Sequence, residues 1–411
     1  MNIEYYIAKR MLGIKEKNLL SAPIINIAVI GVAIGVCVML LSIYIITGFK
    51  NEISEKLSGF VAHIDVKSYT SYASNQNDAL HLDSTLIGAI NRHKDIKQAY
   101  PYIDKAAILK NKDEIHGIIF KGVDSSYNAE FYSKYLVEGQ IPSYDNINIS
   151  NEILISNKIA SLLHIKLGDK IQAHFVQNPP RVRIFTVKGI YDSGFNEYDD
   201  VNVLCDIQHL RKLNSWDKNK ASGLAIEIKD IEKVYETENF IYETLLEKDK
   251  GDFLNIETIF QKAPQIYDWL KLLDINIALV ITLIIIVSGF NMISGLLVLI
   301  LDKTRMIGLL KALGYKNKKL RELFIYIALG LVTKGIIWGN LLALIIYFIQ
   351  DTFNIIKLDS SVYYMSSVPM QFNLYSTLLL NVGVIFATFI MLIIPTILIS
   401  KIQPIKAIQF D

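Results

Sequence analysis

The sequence predicts an α-helical membrane protein with four transmembrane helices and a large α+β domain inserted between helices 1 and 2. Charge segregation is the first sign. No Asp, Glu, Lys or Arg occurs from Asn18 to Phe49, from Ile275 to Leu301 or from Ser360 to Ser400, and each interval exceeds the roughly 20 apolar residues that span a bilayer. A fourth run, Leu323 to Gln350, is interrupted only by Lys334. The second sign is the long stretch from Lys50 to Leu273, where charged and apolar residues mix as they do in a soluble domain.

In chain order, residues 1–20 read as a cytoplasmic amphipathic segment and 21–49 as the first transmembrane helix. The first run is too long for a cleaved signal's apolar core of about 7–15 residues, and it ends in "IITGFKNE" without a small-x-small site, so it reads as a retained anchor. The inserted domain covers 50–273, with a membrane-proximal base at 50–114 and 217–273 and an outer lobe at 115–216. Transmembrane helices follow at 274–301, 323–350 and 374–400, separated by a basic segment at 302–322 and a short loop at 351–373, with a tail at 401–411.

Short basic flanks orient the chain. Lys9, Arg10, Lys15 and Lys17 precede the first span, seven Lys and Arg lie between the second and third, and Lys401 and Lys406 follow the fourth. Both termini are therefore expected in the cytoplasm and the large domain on the far side. The net charge of +2 points to no nucleic-acid partner, because the basic residues sit where topology needs them.

Within the inserted domain, "HIDVKSY", "IHGIIFKGV", "IQAHFV", "RIFTVKGIY", "VNVLCDI" and "LAIEIKD" have the alternating, β-branched character of strands. Between them, "DSTLIGAINRH", "SNKIASLLHI" and "IEKVYETENFIYETLLEK" carry apolar residues at helical spacing. All 7 His fall in this domain without an HExxH or other close ligand pair, so no metal site is expected. Cys37 and Cys205 lie in different regions and are not expected to pair. Neither a G-x-S-x-G elbow nor a G-x-x-x-x-G-K-[ST] phosphate loop occurs, so no catalytic residue is assigned and any ATP hydrolysis belongs to another subunit.

The basic segment "LDKTRMIGLLKALGYKNKKLRELF" places Met306, Leu309, Leu310 and Leu313 at helical spacing, with Gly314 where a left-handed residue ends a helix. Two readings stay open on pattern alone. The cations satisfy the positive-inside rule while the leucines lie on headgroups, or the helix plugs a groove on a partner.

This segment resembles the coupling helix of MacB/FtsX-type ABC transporter permeases, which docks on the ATPase subunit. More specifically, "ITGFKNEISEKLSGFVAHIDV", "FKGVD", "YLVEG", "NKIASLLHIKLGDKI" and "FTVKGIY" follow in the order seen in the lipoprotein-releasing LolC/LolE family, and the resemblance covers essentially the whole chain. It implies a non-catalytic permease subunit in the inner membrane of a Gram-negative bacterium. The implied partners are an ABC ATPase resembling LolD, a second permease copy or a paralogue, a periplasmic carrier resembling LolA, lipoprotein substrates and membrane lipid. No cofactor is expected on this chain; ATP and magnesium belong to the ATPase. An FtsX-like transmitter that activates a periplasmic hydrolase and a MacB-like efflux permease are the alternatives. A smaller outer domain in the first and a fused ATPase in the second count against them.

On this resemblance, Arg305, Met306, Leu309, Leu310, Lys311, Leu313 and Gly314 form the ATPase contact. The lipid is expected between spans one and two, at Met39, Ile43, Ile46 and Phe49 on one and Ile277, Val280, Ile281 and Ile284 on the other. These residues equally suit ordinary lipid exposure. Gly31 and Gly35 form a G-x-x-x-G pair which, with Gly289 and Gly295 in span two, permits close helix approach. Lys334 reads either as a snorkelling or structurally paired side chain or as a proton-coupling group. In "HFVQNPPRVRIF", Pro179 and Pro180 bar regular pairing and project a stiff loop flanked by Arg181 and Arg183. Its position matches the carrier-binding hook of the family, in a shorter form, and an ordinary hairpin tip is the other reading.

Overall fold

Four helices in the computed structural model are long and apolar enough to cross a membrane: Asn26–Val61, Pro264–Asp302, Asn317–Phe353 and Leu374–Ile397. The structure describes residues 3–13, 22–68, 79–112, 114–145, 148–246, 254–359 and 363–401. Most of the cytoplasmic tail expected at 401–411 and part of the N-terminal segment expected at 1–20 lie outside them. The chain divides into two units: one of Met1–Lys50, Trp269–Ile356 and Val368–Asp411, the other of Asn51–Asp268 with Lys357–Ser367.

In chain order the elements are α1 (Ile3–Gly13), α2 (Ala22–Val61), β1 (Ile64–Ser68), β2 (Leu80–His81), α3 (Ser84–Asn91), β3 (Ile96–Asn111), β4 (Glu114–Val123), α4 (Glu130–Lys134), β5 (Leu136–Gly139), β6 (Glu152–Ser156), α5 (Asn157–Leu162), β7 (Lys170–Phe175) and β8 (Arg181–Tyr191). There follow α6 (Asn196–Asp199), β9 (Asn202–Asp206), α7 (Ile207–Asn214), β10 (Lys220–Ala221), β11 (Gly223–Ile228), α8 (Val234–Leu246), β12 (Leu254–Thr258), α9 (Ile259–Lys262), α10 (Pro264–Asp302), α11 (Thr304–Ala312), α12 (Asn317–Phe353) and α13 (Leu374–Lys401).

The long helices begin and end where local chemistry directs. Pro264 opens α10, where its missing N–H costs nothing. Asn354, left-handed at φ +46°, closes α12. Asn373 Oδ1 accepts from the free N–H groups of Tyr375 and Ser376 at 2.9 and 3.3 Å, capping α13. The helical core is filled by Val32, Met39, Leu40, Met292, Leu296, Phe324, Ala328 and their neighbours. Asn340 and Asn381 exchange side-chain hydrogen bonds at 3.0 Å between α12 and α13, each amide satisfying the other where lipid offers no partner.

The second unit is mostly β, which corrects the α+β expectation. Each segment read as helical contains a helix, of 8, 6 and 13 residues, and these pack against the sheet through residues such as Leu86, Ile90, Ile159 and Ile241. The strand order is β12-β1-β11-β3-β4-β9-β6-β8-β5, and β7 pairs with both β3 and β8. Strands β3, β4, β9, β6, β8 and β7 therefore close into a hydrogen-bonded ring, which leaves no free edge among them. Phe120 fills the ring's interior, with Phe175 and Phe185 at centroid distances of 5.3 and 5.0 Å.

β3 joins two regions. Its first half pairs with β11 and its second with β4 and β7. The base–lobe boundary read at 114/115 falls just inside the start of β4. Beside β3, Asp65 is 1% exposed. The Tyr102 hydroxyl donates to its carboxylate, lying 2.9 and 2.7 Å from the two oxygens, and Asp65 pairs with Lys262 and, at 3.4 Å, Lys67.

Candidate functional site

The basic segment folds as α11, whose C-terminal turn is closed by Gly314 at φ +87° and by a hydrogen bond from the Tyr315 N–H to the Leu310 carbonyl at 3.0 Å. Glycine is needed here because a side chain is strained at that φ. Of the residues assigned to the contact, Leu309 and Leu313 point outward, 53% and 76% exposed, and Arg305 is also exposed. Met306 and Leu310 turn the other way and pack on the helical core beside fully buried Ile307. Lys311 is half-buried. Leu309 and Leu313 thus form an apolar outward face flanked by cations, while Leu310 leans on the helical core.

The helix-packing glycines sit at close approaches. A Cβ on Gly31 would lie 2.6 Å from Asn291 Nδ2, one on Gly35 2.5 Å from Ser288 Oγ, and one on Gly295 2.8 Å from the Ala28 Cβ. These three seat α2 against α10. Gly289 faces elsewhere, against Met391 of α13. A second pair escaped the sequence reading. Gly335 and Gly339 of α12 abut α2 at Val29, Val32, Ala33 and Val36, with a Cβ on Gly339 only 2.7 Å from the Ala33 carbonyl oxygen. Their G-x-x-x-G spacing was the available signal. Lys334 precedes them on the exposed side of α12.

The residues proposed for lipid divide by depth. Met39 is fully buried in the helical core. Ile43, Ile281 and Ile284 lean on that core from its margin. Ile46 and Ile277 are half-buried and Val280 is exposed. Phe49 meets the Trp269 ring edge-on at 5.6 Å.

In the outer domain, "HFVQNPPRVRIF" forms β7, a five-residue connection and β8, with Phe175 opposite Arg181. Pro179 and Pro180 are exposed at the tip, and the Asn178–Pro179 peptide is cis. Arg181 and Arg183 are half-buried on β8. Beside the loop, the outside of the ring carries Ile108, Ile115, Ile119, Val182 and Ile184, all exposed. The register aligns Ile108 with His174 and His174 with Val182, so these side chains share one face. This apolar face was missed, although Val182 and Ile184 in "RVRIF" and Ile115 and Ile119 in "EIHGIIF" recur at the two-residue period of one strand face.

Two family descriptions match the chain: "MacB-like periplasmic core domain" over residues 27–239, more than half its length, and "FtsX-like permease C-terminal" over 278–404. They define a permease of the MacB/FtsX type. Full-length relatives narrow this further. The chain is 23% identical over 421 residues to the lipoprotein-releasing system transmembrane protein LolC of Xylella fastidiosa strain Temecula1, covering 98% of each. It is 22% identical over 430 residues to LolE of the same system in Haemophilus influenzae, covering 100% of each. The chain belongs to the LolC/LolE family of the MacB/FtsX permease superfamily. Among solved structures, the periplasmic region of MacB from Actinobacillus actinomycetemcomitans aligns at 12% identity with a TM-score of 0.38, over 51% of this chain and 95% of that one.

Proposed function

We propose that this chain is the permease subunit of an ABC transporter that extracts lipoproteins from the outer leaflet of the inner membrane and passes them to a periplasmic carrier, driven by a separate ATPase subunit. The observation that carries this reading is the end-to-end similarity to relatives named as lipoprotein-releasing. The basic flanks favour cytoplasmic termini and a periplasmic outer domain.

Energetics explain why such a device needs fuel. At about 0.8 kcal/mol per buried CH₂, one acyl chain of about 14 carbons holds a lipoprotein by roughly 11 kcal/mol, and three chains will not leave the bilayer unaided at a useful rate. In this chain Leu309 and Leu313 of α11 dock on the ATPase. The margin residues Ile43, Ile281 and Ile284 receive acyl chains when α2 and α10 separate or meet a second permease copy. The Pro179–Pro180 loop and the apolar face beside it hold the carrier.

Photo-crosslinkers at Ile43, Ile281 and Ile393 test the reading in a reconstituted complex supplied with triacylated lipoprotein. Capture at Ile43 and Ile281 but not at Ile393, which is exposed on α13, is expected. Equal capture at all three would reduce the assigned residues to general lipid contacts.

A further inference from the structure

α11 is joined to its neighbours unequally. Its N-terminal joint is nearly continuous with α10: Lys303 N–H bonds to the Leu299 carbonyl at 3.0 Å and Ile307 N–H to the Lys303 carbonyl at 2.9 Å. The C-terminal joint turns on Gly314, which has open space where a Cβ would stand. Such a glycine leaves the backbone free to swing unless something beyond it is held.

Glu4 of α1 is what holds it. The Tyr315 hydroxyl donates to Glu4 Oε1 at 3.0 Å, and Lys319 Nζ lies 3.2 Å from the same oxygen. Lys319 also sits 5.9 Å from the Tyr315 ring centroid, so the three side chains form one cluster that ties the residue after Gly314 to α1 and the first turn of α12, while the Tyr315 N–H holds the end of α11 through the Leu310 carbonyl. Glu4 is only 4% exposed. Its own backbone amide, with Lys319 and Tyr315, outweighs burial and holds the carboxyl below its usual range, so it stays charged at neutral pH. α1 itself is seated along α12 through buried Ala8 and an edge contact of Tyr5 with Tyr326 at 5.9 Å. A buried carboxylate is a poor way to gain stability and is better suited to fixing one geometry among several.

We propose that α1 braces the coupling helix: Glu4, through Tyr315 and Lys319, sets the angle at which α11 presents Leu309 and Leu313 to the nucleotide-hydrolysing subunit. Glu4, Tyr315 and Lys319 are positioning residues. They act on the joint, while the leucines make the contact. This rests on the coupling role proposed for α11, and the experiment separates the two.

A spin label on a cysteine at exposed Ala312 reports α11 motion in the full-length permease alone, since Cys37 and Cys205 are buried. ATP turnover and KM for ATP are then measured in the complete transporter in nanodiscs. Glu4→Gln and Tyr315→Phe are expected to raise label mobility and to lower turnover at saturating ATP by about fivefold, with KM for ATP within about twofold of the parent. The charge swap Glu4→Lys with Lys319→Glu should recover both readouts, which a packing role for α1 would not produce. Leu313→Asp tests the contact itself. Unchanged label mobility in Glu4→Gln overturns the brace whatever Leu313→Asp does. Unchanged turnover in Leu313→Asp removes the coupling role from α11 and leaves the label to decide the brace.

Discussion

Lys262→Met removes one of two cations that face Asp65, a side chain sealed from solvent on β1. Burial alone would raise the Asp65 pKa, but Lys262, Lys67 and the Tyr102 hydroxyl reverse that and hold it below the ordinary carboxylate range. Breaking a buried ion pair costs about 3–5 kcal/mol because the remaining charge loses its partner. Here Lys67 at 3.4 Å and the Tyr102 hydroxyl, which donates to the same carboxylate, remain, so the expected loss is the smaller figure of about 2–3 kcal/mol. The damage should be local. β1 is paired with β12 from Ile64↔Thr258 to Ser68↔Leu254, and Lys262 lies on α9 directly after that strand.

The assay is amide hydrogen exchange on the full chain in nanodiscs. Protection in β1 and β12 should fall by about 30- to 150-fold, the equivalent of that loss, while the ring strands β6 and β8 keep theirs. The pH dependence has a definite sign. A depressed carboxyl pKa contributes stability above its unfolded value of about 3.9, and that contribution disappears as pH falls through the folded value. The variant's deficit is therefore full at neutral pH and shrinks under acid, when Asp65 is protonated with or without Lys262. A deficit that persists unchanged under acid, or protection in β1 equal to the parent's at neutral pH, would refute the electrostatic account.

Two further outcomes follow from the close approaches and the loop. Gly339→Leu should lower the thermal stability of the helical unit by about 1–3 kcal/mol or more, because its Cβ meets the rigid Ala33 carbonyl and the Val36 side chain; Gly383→Leu on α13, with open space around it, is the control and should change little. Replacing Pro179 and Pro180 by Gly and Arg181 by Glu should weaken carrier pull-down by about 10- to 100-fold while ATP hydrolysis is unchanged, and undiminished capture would move the carrier contact elsewhere on the outer domain.

The long helices were legible because charge is excluded from them, a constraint imposed by solvent and visible without any neighbour. Strands with clean alternation, such as "RIFTVKGIY", were legible for the same local reason. β3 was not, though it runs 16 residues. Pro101 interrupts it, and Lys97, Asp104, Lys105 and Lys110 obscure its alternation. The structure absorbs these by pairing β3 on both sides, with Pro101 opposite Leu224 and Asp104 opposite Lys121. Ring closure through β7 and β3 joins segments distant in sequence, and no local pattern encodes it. The face of α11 was ambiguous for another reason. Met306, Leu309, Leu310 and Leu313 follow one helical period, and only packing of Met306 and Leu310 on the core separates the holding residues from the presenting ones.

The same distinction between holding and presenting applies to α12. Near one end, Lys319 is tied to Glu4. At the other, Gln350 donates from Nε2 to the Ile356 and Val368 carbonyls at 3.3 and 3.1 Å and accepts from the Ile356 N–H at 3.0 Å. Between them, Gly335 and Gly339 seat the helix on α2 with no room for a side chain. A helix of 37 residues is about 55 Å long at 1.5 Å per residue, and Gly335 and Gly339 seat its middle directly on α2. Left-handed residues stand at its two flanks, Gly314 at φ +87° and Asn354 at φ +46°. On the coupling role proposed for α11, a force delivered to Leu309 and Leu313 is expected to reach α12 through the joint at Gly314, where Tyr315 and Lys319 meet Glu4.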